Sequence, residues 1–289
     1  MDTRSWLAGF KDTKLVDLLV IPGTHNSGSS KSGAHESWWK KTCFCYVRQQ
    51  SLSIYDQLCA GIRFLDFRLH VEDEGEFPNV FLSHSFDTHY TLADALNEVA
   101  FFLAEYPTEF VIVYIRIDHW WRSKAKKGQW QAIVEKTLRS SRLELASIQA
   151  EALDHAKVSD LAGKALILMP DNNTVVSRES GISFLDSLKH YKVFDVWRFS
   201  GVADAMLAVS DHMYARHTEQ RPRNVLGGLA LDLTVIGLPP SWTSAELNEW
   251  FLARAESDPE WTGQPMGVLL LDFADEMLLR RLFTAFGIF

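Results

Sequence analysis

Two histidines, an aspartate and an arginine draw attention because each follows or ends an apolar run that reads as a β-strand. In Val20-Ile21-Pro22-Gly23-Thr24-His25-Asn26-Ser27-Gly28 such a run breaks at a glycine turn that presents His25. In Gly61-Ile62-Arg63-Phe64-Leu65-Asp66-Phe67-Arg68 another ends in Asp66 and Arg68, and in Phe81-Leu82-Ser83-His84-Ser85 a third is followed by His84. Two imidazoles, a carboxylate and a guanidinium suit phosphodiester chemistry. One imidazole takes the proton of a nucleophilic hydroxyl, the guanidinium holds the phosphate, and the second imidazole protonates the leaving oxygen.

Something must hold these groups together, and the pattern of apolar runs supplies it. Eight β-branched or aliphatic runs are expected as strands: Leu15–Ile21, Ile62–Phe67, Val80–Leu82, Phe110–Ile117, Ala165–Met169, Val193–Trp197, Leu229–Leu233 and Val268–Leu271. Several are continuously apolar, as in a parallel strand buried on both faces. Helical periodicity marks Leu92–Tyr106, Trp130–Arg139, Ala203–Tyr214, Ala245–Ala255 and Met277–Phe286. Thr243 and Glu246 read as a capping box at the fourth of these. Strand and helix in alternation, with eight strands, predict an α/β fold: a single distorted (β/α)8 TIM-type barrel.

Reactive groups in such barrels gather at the C-terminal ends of the strands. His25 follows strand one, Asp66 and Arg68 end strand two, and His84 follows strand three. Arg116 and Asp118 end strand four, and Asp272 ends strand eight. First and last strands are neighbours in a closed barrel, which brings Asp272 within reach of His25. The glycine-rich phosphate loops of nucleotide-binding folds are absent.

Composition narrows the alternatives. A length of 289 residues suits one barrel domain over residues 1–289, and 47% hydrophobic against 23% charged residues allows a substantial core. A formal charge of −8 argues against nucleic acid as partner. Three cysteines, two of them the close pair Cys43 and Cys45, make neither a disulfide framework nor a zinc site with two ligand pairs. Residues Met1 to Trp6 lack a charged segment followed by an apolar core, so no secretory signal is expected in this chain. No apolar run approaches the ~20 residues of a membrane span, so any membrane contact is peripheral.

With those residues in view, the chain resembles the X-type catalytic region of phosphatidylinositol-specific phospholipase C. The resemblance rests on Ile21 to Gly28, on Gln57-Leu58 through Gly61-Ile62-Arg63 to Asp66 and Arg68, and on Ser83-His84-Ser85. It continues through Glu109-Phe110-Val111-Ile112-Val113 to Leu270-Leu271-Asp272-Phe273. It is nearest in kind to the compact bacterial enzymes and the trypanosomal enzyme that cleaves glycosylphosphatidylinositol.

The resemblance implies that His25 is the general base for the inositol 2-hydroxyl and His84 the general acid for the diacylglycerol oxygen. The products would be diacylglycerol and inositol 1,2-cyclic phosphate. Asp272 would orient His25, and Asp66 would assist at the phosphate. Arg68 stands where calcium-dependent relatives carry a carboxylate, so no metal and no other cofactor is expected. Arg116 and Asp118 match positions that grip inositol hydroxyls, usually Lys and Glu in the bacterial enzymes. Asn26, also assigned to substrate binding, replaces the Asp of many bacterial members. Leu168-Met169-Pro170-Asp171 lacks an arginine that those members use for inositol.

The expected partner is phosphatidylinositol or its glycosylated form at a membrane surface, met by a monomeric protein that is secreted or peripheral. Aromatics interleaved with lysine from Trp38 to Tyr46 nominate Trp38, Trp39, Phe44 and Tyr46 as a membrane-facing rim. Trp120 and Trp121 are candidates for the same rim. The other eight histidines, among them His70 and His89, read as ordinary loop or structural residues. Two further readings remain: a metal-dependent glycerophosphodiester or sphingomyelinase-D-like enzyme, which would need extra carboxylates, and an inactive lipid-binding module, which would be expected to lose a histidine.

Overall fold

The computed structural model describes residues 2–33, 37–72, 79–117, 129–148, 150–169, 185–186, 192–196, 199–218, 226–233 and 238–289. Among the described residues ten strands form one curled sheet. They are β1 (Ile21–Thr24), β2 (Phe64–Glu72), β3 (Asn79–His84), β4 (Phe86–Thr91), β5 (Val111–Ile117), β6 (Ala165–Met169), β7 (Leu185–Asp186), β8 (Lys192–Asp195), β9 (Gly227–Leu231) and β10 (Val268–Leu271). Eight of them run in the order β7-β6-β5-β2-β1-β10-β9-β8, and every neighbouring pair on that path is parallel. First and last expected strands do lie side by side, with Ile21 opposite Val268 and Thr24 opposite Leu271. Among the described residues no ladder joins β7 to β8, and over those residues the hydrogen-bonded path curls into a distorted barrel without closing.

Continuous apolar runs become strands buried along their whole length: every residue of β6, β9 and β10 is buried. Helices cover the outer face. Leu92–Glu105 presents Leu92, Leu96, Val99, Phe102 and Leu103 inward, behind a capping box between Thr91 and Asp94. Among the described residues no helix is long and apolar enough to cross a membrane.

Several expectations need correction. Leu15–Asp17 is a turn of 3-10 helix, and β1 begins only at Ile21, so the strand includes the Pro-Gly pair that reads as a turn. Pro22 lacks an N–H, but its carbonyl still accepts from Arg63 at 2.8 Å. Gly23 is required by closeness: a Cβ there would lie 2.7 Å from Leu270 Cδ2 and 2.9 Å from Phe64 Cβ, between the two flanking strands.

The third expected strand is not a barrel stave. β2 runs on past the barrel to Glu72, and β3 folds back antiparallel on it, followed by β4, so the three make an arm. Asp66 and Arg68 therefore sit within β2, not at its end. The missing stave is β7, two residues long. The helix expected from Ala245 begins at Pro240, whose fixed φ suits a first helical position. Thr243 is consequently inside the helix, where its hydroxyl donates to Leu233 O at 3.0 Å, and it caps nothing.

Part of the recognisable motif proves to be structural. Arg63 is fully buried just before β2, with its Nε and Nη2 donating to Glu109 Oε2 at 2.9 and 2.6 Å. Its remaining donors reach the carbonyls of Leu58, Ile62 and Arg4, and Phe102 lies under the guanidinium. A buried charge pair is tolerated only with this degree of hydrogen bonding. It ties the N-terminal segment to the end of the barrel opposite His25.

Candidate active site

The turn after β1 is built by side chains, because a tight turn leaves backbone groups without ladder partners. Thr24 Oγ1 contacts Ser27 Oγ at 2.8 Å and Gln57 Oε1 at 2.7 Å, while Gln57 Nε2 donates to Ser27 O at 2.8 Å. Ser27 Oγ in turn accepts from the Asp66 N–H at 2.8 Å, and the Ser27 N–H donates to Asp66 O at 3.0 Å. Gly28 lies so close to Leu82 of β3 that a Cβ would clash with it. This network joins β1, β2 and the arm, and fixes the backbone that carries His25.

His25 is buried, and its Nδ1 lies 2.9 Å from Asp272 Oδ1. A carboxylate accepts, so the proton belongs on Nδ1 and the lone pair on Nε2. Asn26 Nδ2 donates to that lone pair at 3.0 Å. Burial, reinforced by the positive charges of Arg68, His84 and Arg116, holds the imidazole well below its ordinary value. Asp272 follows β10 and is wholly buried; its Oδ2 accepts from Ser244 Oγ at 3.2 Å and its carbonyl from Asn248 Nδ2 at 2.9 Å. Burial and the nearby Asp232 carboxylate push Asp272 well above the ordinary carboxylate range, against the Ser244 hydroxyl and Arg68.

His84 faces His25 from the end of β3, with ring centroids 6.0 Å apart and planes at 70°. Its Nδ1 donates to Val47 O at 2.6 Å, which turns Nε2 to the other side of the ring. Asp66 Oδ2 accepts from Arg68 Nε at 3.1 Å and from the Asn26 N–H at 3.2 Å, and Asp66 Oδ1 lies 3.8 Å from Arg116 Nε. Register explains the pair of guanidiniums: Arg68 on β2 stands directly opposite Arg116 on β5. The structure thus brings together His25, Asn26, Asp66, Arg68, His84, Arg116 and Asp272. Asp118 lies outside the described residues.

Backbone strain singles out the same place. Among the described residues the non-glycines with left-handed backbone are Asn26 (φ 45°), Ser85 (φ 61°) and Phe273 (φ 52°). Each directly follows one of His25, His84 and Asp272. Such conformations cost about 1–3 kcal/mol apiece and persist only where the surroundings over-determine them.

Two features escape a reading of the chain. Asp232 follows β9 and places Oδ2 4.0 Å from His25 Nε2. Its signal was an aspartate closing the apolar run Leu229-Ala230-Leu231, the same pattern that nominates Asp272. Trp242, in the first turn of the helix Pro240–Ser257, is 67% exposed. Of the four expected rim residues, Trp38 (79% exposed), Trp39 and Tyr46 face solvent. Phe44 does not: it is buried, because the short helix Trp38–Cys43 gives way there to a 3-10 turn that points its ring inward. Trp120 and Trp121 lie outside the described residues.

Among the described residues no group of three or more His, Cys, Asp and Glu side chains is placed to hold a metal ion.

Residues 19–169 match the family model described as phosphatidylinositol-specific phospholipase C, X domain. The chain belongs to the phosphatidylinositol-specific phospholipase C X-domain family. Within it, the chain is 29% identical over 114 residues to the 1-phosphatidylinositol phosphodiesterase of Listeria monocytogenes, covering 39% of this chain and 33% of that protein. Over 67 residues it is 37% identical to the mouse PI-PLC X domain-containing protein 1, covering 23% of this chain and 19% of that one. The aligned stretch spans only about a third of the bacterial relatives' length. The fold extends further. The solved phosphatidylinositol-specific phospholipase C from Listeria monocytogenes superposes with a TM-score of 0.74 over 99% of both chains at 19% identity. A Staphylococcus aureus structure gives 0.72 over 97% of both chains at 16% identity.

Proposed function

We propose that this X-domain protein cleaves phosphatidylinositol to diacylglycerol and inositol 1,2-cyclic phosphate without a metal ion, using residues 1–289 as one catalytic barrel. The observation that carries the reading is the His25–Asp272 couple facing His84 across 6.0 Å, with Arg68 and Arg116 paired on adjacent strands. His25 Nε2 takes the proton of the inositol 2-hydroxyl, whose oxygen attacks the phosphorus. The bond from phosphorus to the glycerol oxygen breaks as His84 supplies that oxygen with a proton. An internal nucleophile needs positioning and proton transfer, not a metal-generated hydroxide.

Arg68 supplies the fixed positive charge at the phosphate, held in orientation by Asp66. A divalent cation beside that guanidinium would be repelled. Before substrate arrives Asn26 occupies the lone pair of the base, so the reacting hydroxyl must displace its amide. In chelator, diacylglycerol should be released from phosphatidylinositol vesicles and not from phosphatidylcholine vesicles. Release that stops on chelation, or that is equal from both lipids, contradicts the proposal.

The sign of the His25 shift sets a pH dependence. A base held down by burial and by Arg68 stays unprotonated in mildly acid solution. The acid limb of kcat/KM should therefore fall below the ordinary imidazole value of about 6.5. Arg68→Gln removes a cation that opposes protonation, so the limb should move up in pH in that variant. A wild-type limb at or above the ordinary value would contradict the assignment of His25 as base.

Lipid access follows from the rim. Trp38, Trp39 and Tyr46 lie in the connection after β1 and Trp242 in the connection after β9, both leaving the end of the barrel that carries His25. Lys40 lies over the rings of Trp39 and Phe86, a pairing suited to a water–lipid boundary. Alanine at Trp38 and Trp39 should weaken vesicle binding and spare hydrolysis of a soluble short-chain substrate. Equal losses in both assays would make the rings packing residues.

A further inference from the structure

We propose that Asp232 is a specificity-determining residue whose Oδ2 accepts a hydrogen bond from the substrate ring hydroxyl next to the nucleophile, on the carbon away from the phosphate. The inference rests on the reading of His25 as base for an inositol 2-hydroxyl, and makes the neighbouring 3-hydroxyl a required part of the substrate.

Register places the residue. Leu231 of β9 stands opposite Leu271 of β10, so Asp232 and Asp272 leave adjacent strands side by side. They serve different nitrogens of one imidazole: Asp272 meets Nδ1 at 2.9 Å, while Asp232 Oδ2 stands 4.0 Å from Nε2, the atom that takes the proton. The two carboxylates are also unequally supplied with donors. Asp272 receives the His25 N–H and the Ser244 hydroxyl. On Asp232 the Val196 N–H donates to Oδ1 at 3.2 Å, and no side-chain donor reaches Oδ2 among the described residues.

Asp232 is only 7% exposed, and holding a carboxylate with so little water around it and few donors is costly. Burial and Asp195 accordingly push its carboxyl up to about 6. A residue kept only to cap the Val196 turn would need no second oxygen beside the base. Vicinal hydroxyls on a ring lie within hydrogen-bonding distance of one another. Two acceptors 4.0 Å apart can therefore each take one of them, the 2-hydroxyl at Nε2 and the 3-hydroxyl at Oδ2.

The test compares short-chain phosphatidylinositol with its 3-deoxy analogue in chelator, for wild type, Asp232→Asn and Asp232→Ala. Asn keeps a carbonyl for the Val196 N–H and puts an amide donor where Oδ2 was. Wild type should prefer the natural substrate about a hundredfold in kcat/KM, the range for a hydrogen bond to a charged group. In both variants the natural substrate should fall to near the analogue's rate, so that the preference shrinks to roughly threefold or less. Wild type turning over both substrates equally overturns the proposal whatever the variants do, as does a folded variant that keeps the full preference. Failure of wild type to cleave phosphatidylinositol at all would instead overturn the reading of the function.

Discussion

Replacing His25 with alanine is expected to lower kcat/KM on phosphatidylinositol about 10⁴-fold, the upper end for loss of a positioned general base. The large figure follows from what the rest of the site cannot do. Asp272 is too deeply buried to reach a hydroxyl at the position of Nε2, and it is turned toward Nδ1 and Ser244. Arg68 and Arg116 cannot accept a proton, and Asp232 Oδ2 stands 4.0 Å from the position of Nε2, beside the neighbouring hydroxyl and not the nucleophile. The variant should still fold, at a cost of about 1–3 kcal/mol for leaving Asp272 Oδ1 without its donor. Steady-state kinetics beside a thermal melt separate the two effects. A folded variant retaining a tenth or more of the activity would remove His25 from the base role.

The second large effect is expected at Arg68. Arg68→Gln should cost about 10²–10³ in kcat, the loss typical for one donor aimed at developing charge. Arg68→Lys should recover only part of it, because an ammonium keeps the charge but loses the planar fork held by Asp66 Oδ2 at 3.1 Å. Arg116, its neighbour across the β2–β5 ladder, lies farther from Asp66 at 3.8 Å and is the more exposed of the two. Kinetics on a soluble substrate in chelator measure the difference. Wild-type activity in Arg68→Gln would mean that another group balances the phosphate charge and would reopen the question of a metal.

What the chain discloses about itself follows from which forces are local. Leu269-Leu270-Leu271 and Ala165 to Met169 announce buried parallel strands because continuous apolar runs fit little else of that length. The His25–Asp272 contact was legible because closing a barrel makes its first and last strands neighbours. The arm was not: Val80–Leu82 has the composition of a stave, and only the overshoot of β2 to Glu72 decides that it folds back. Pro22-Gly23 reads as a turn, yet Leu270 and Phe64 crowd in from both sides and leave room only for glycine in a strand. Phe44 looked like its aromatic neighbours, and only the turn geometry buries it. Asp232 carried the same signature as Asp272; without the β9–β10 register nothing tied it to His25. The left-handed residues Asn26, Ser85 and Phe273 could not be read from residue type, since serine and phenylalanine seldom adopt that conformation.

Intramolecular attack driven by His25 without a metal ion must pass through a cyclic phosphate. Phosphorus NMR of phosphatidylinositol vesicles incubated with the protein in chelator, beside His25→Ala, tests it most directly. The resonance of a five-membered cyclic phosphate should appear first with wild type and be absent with the variant over the same time. A linear inositol phosphate as the first product, or a cyclic phosphate formed equally fast by His25→Ala, would contradict it.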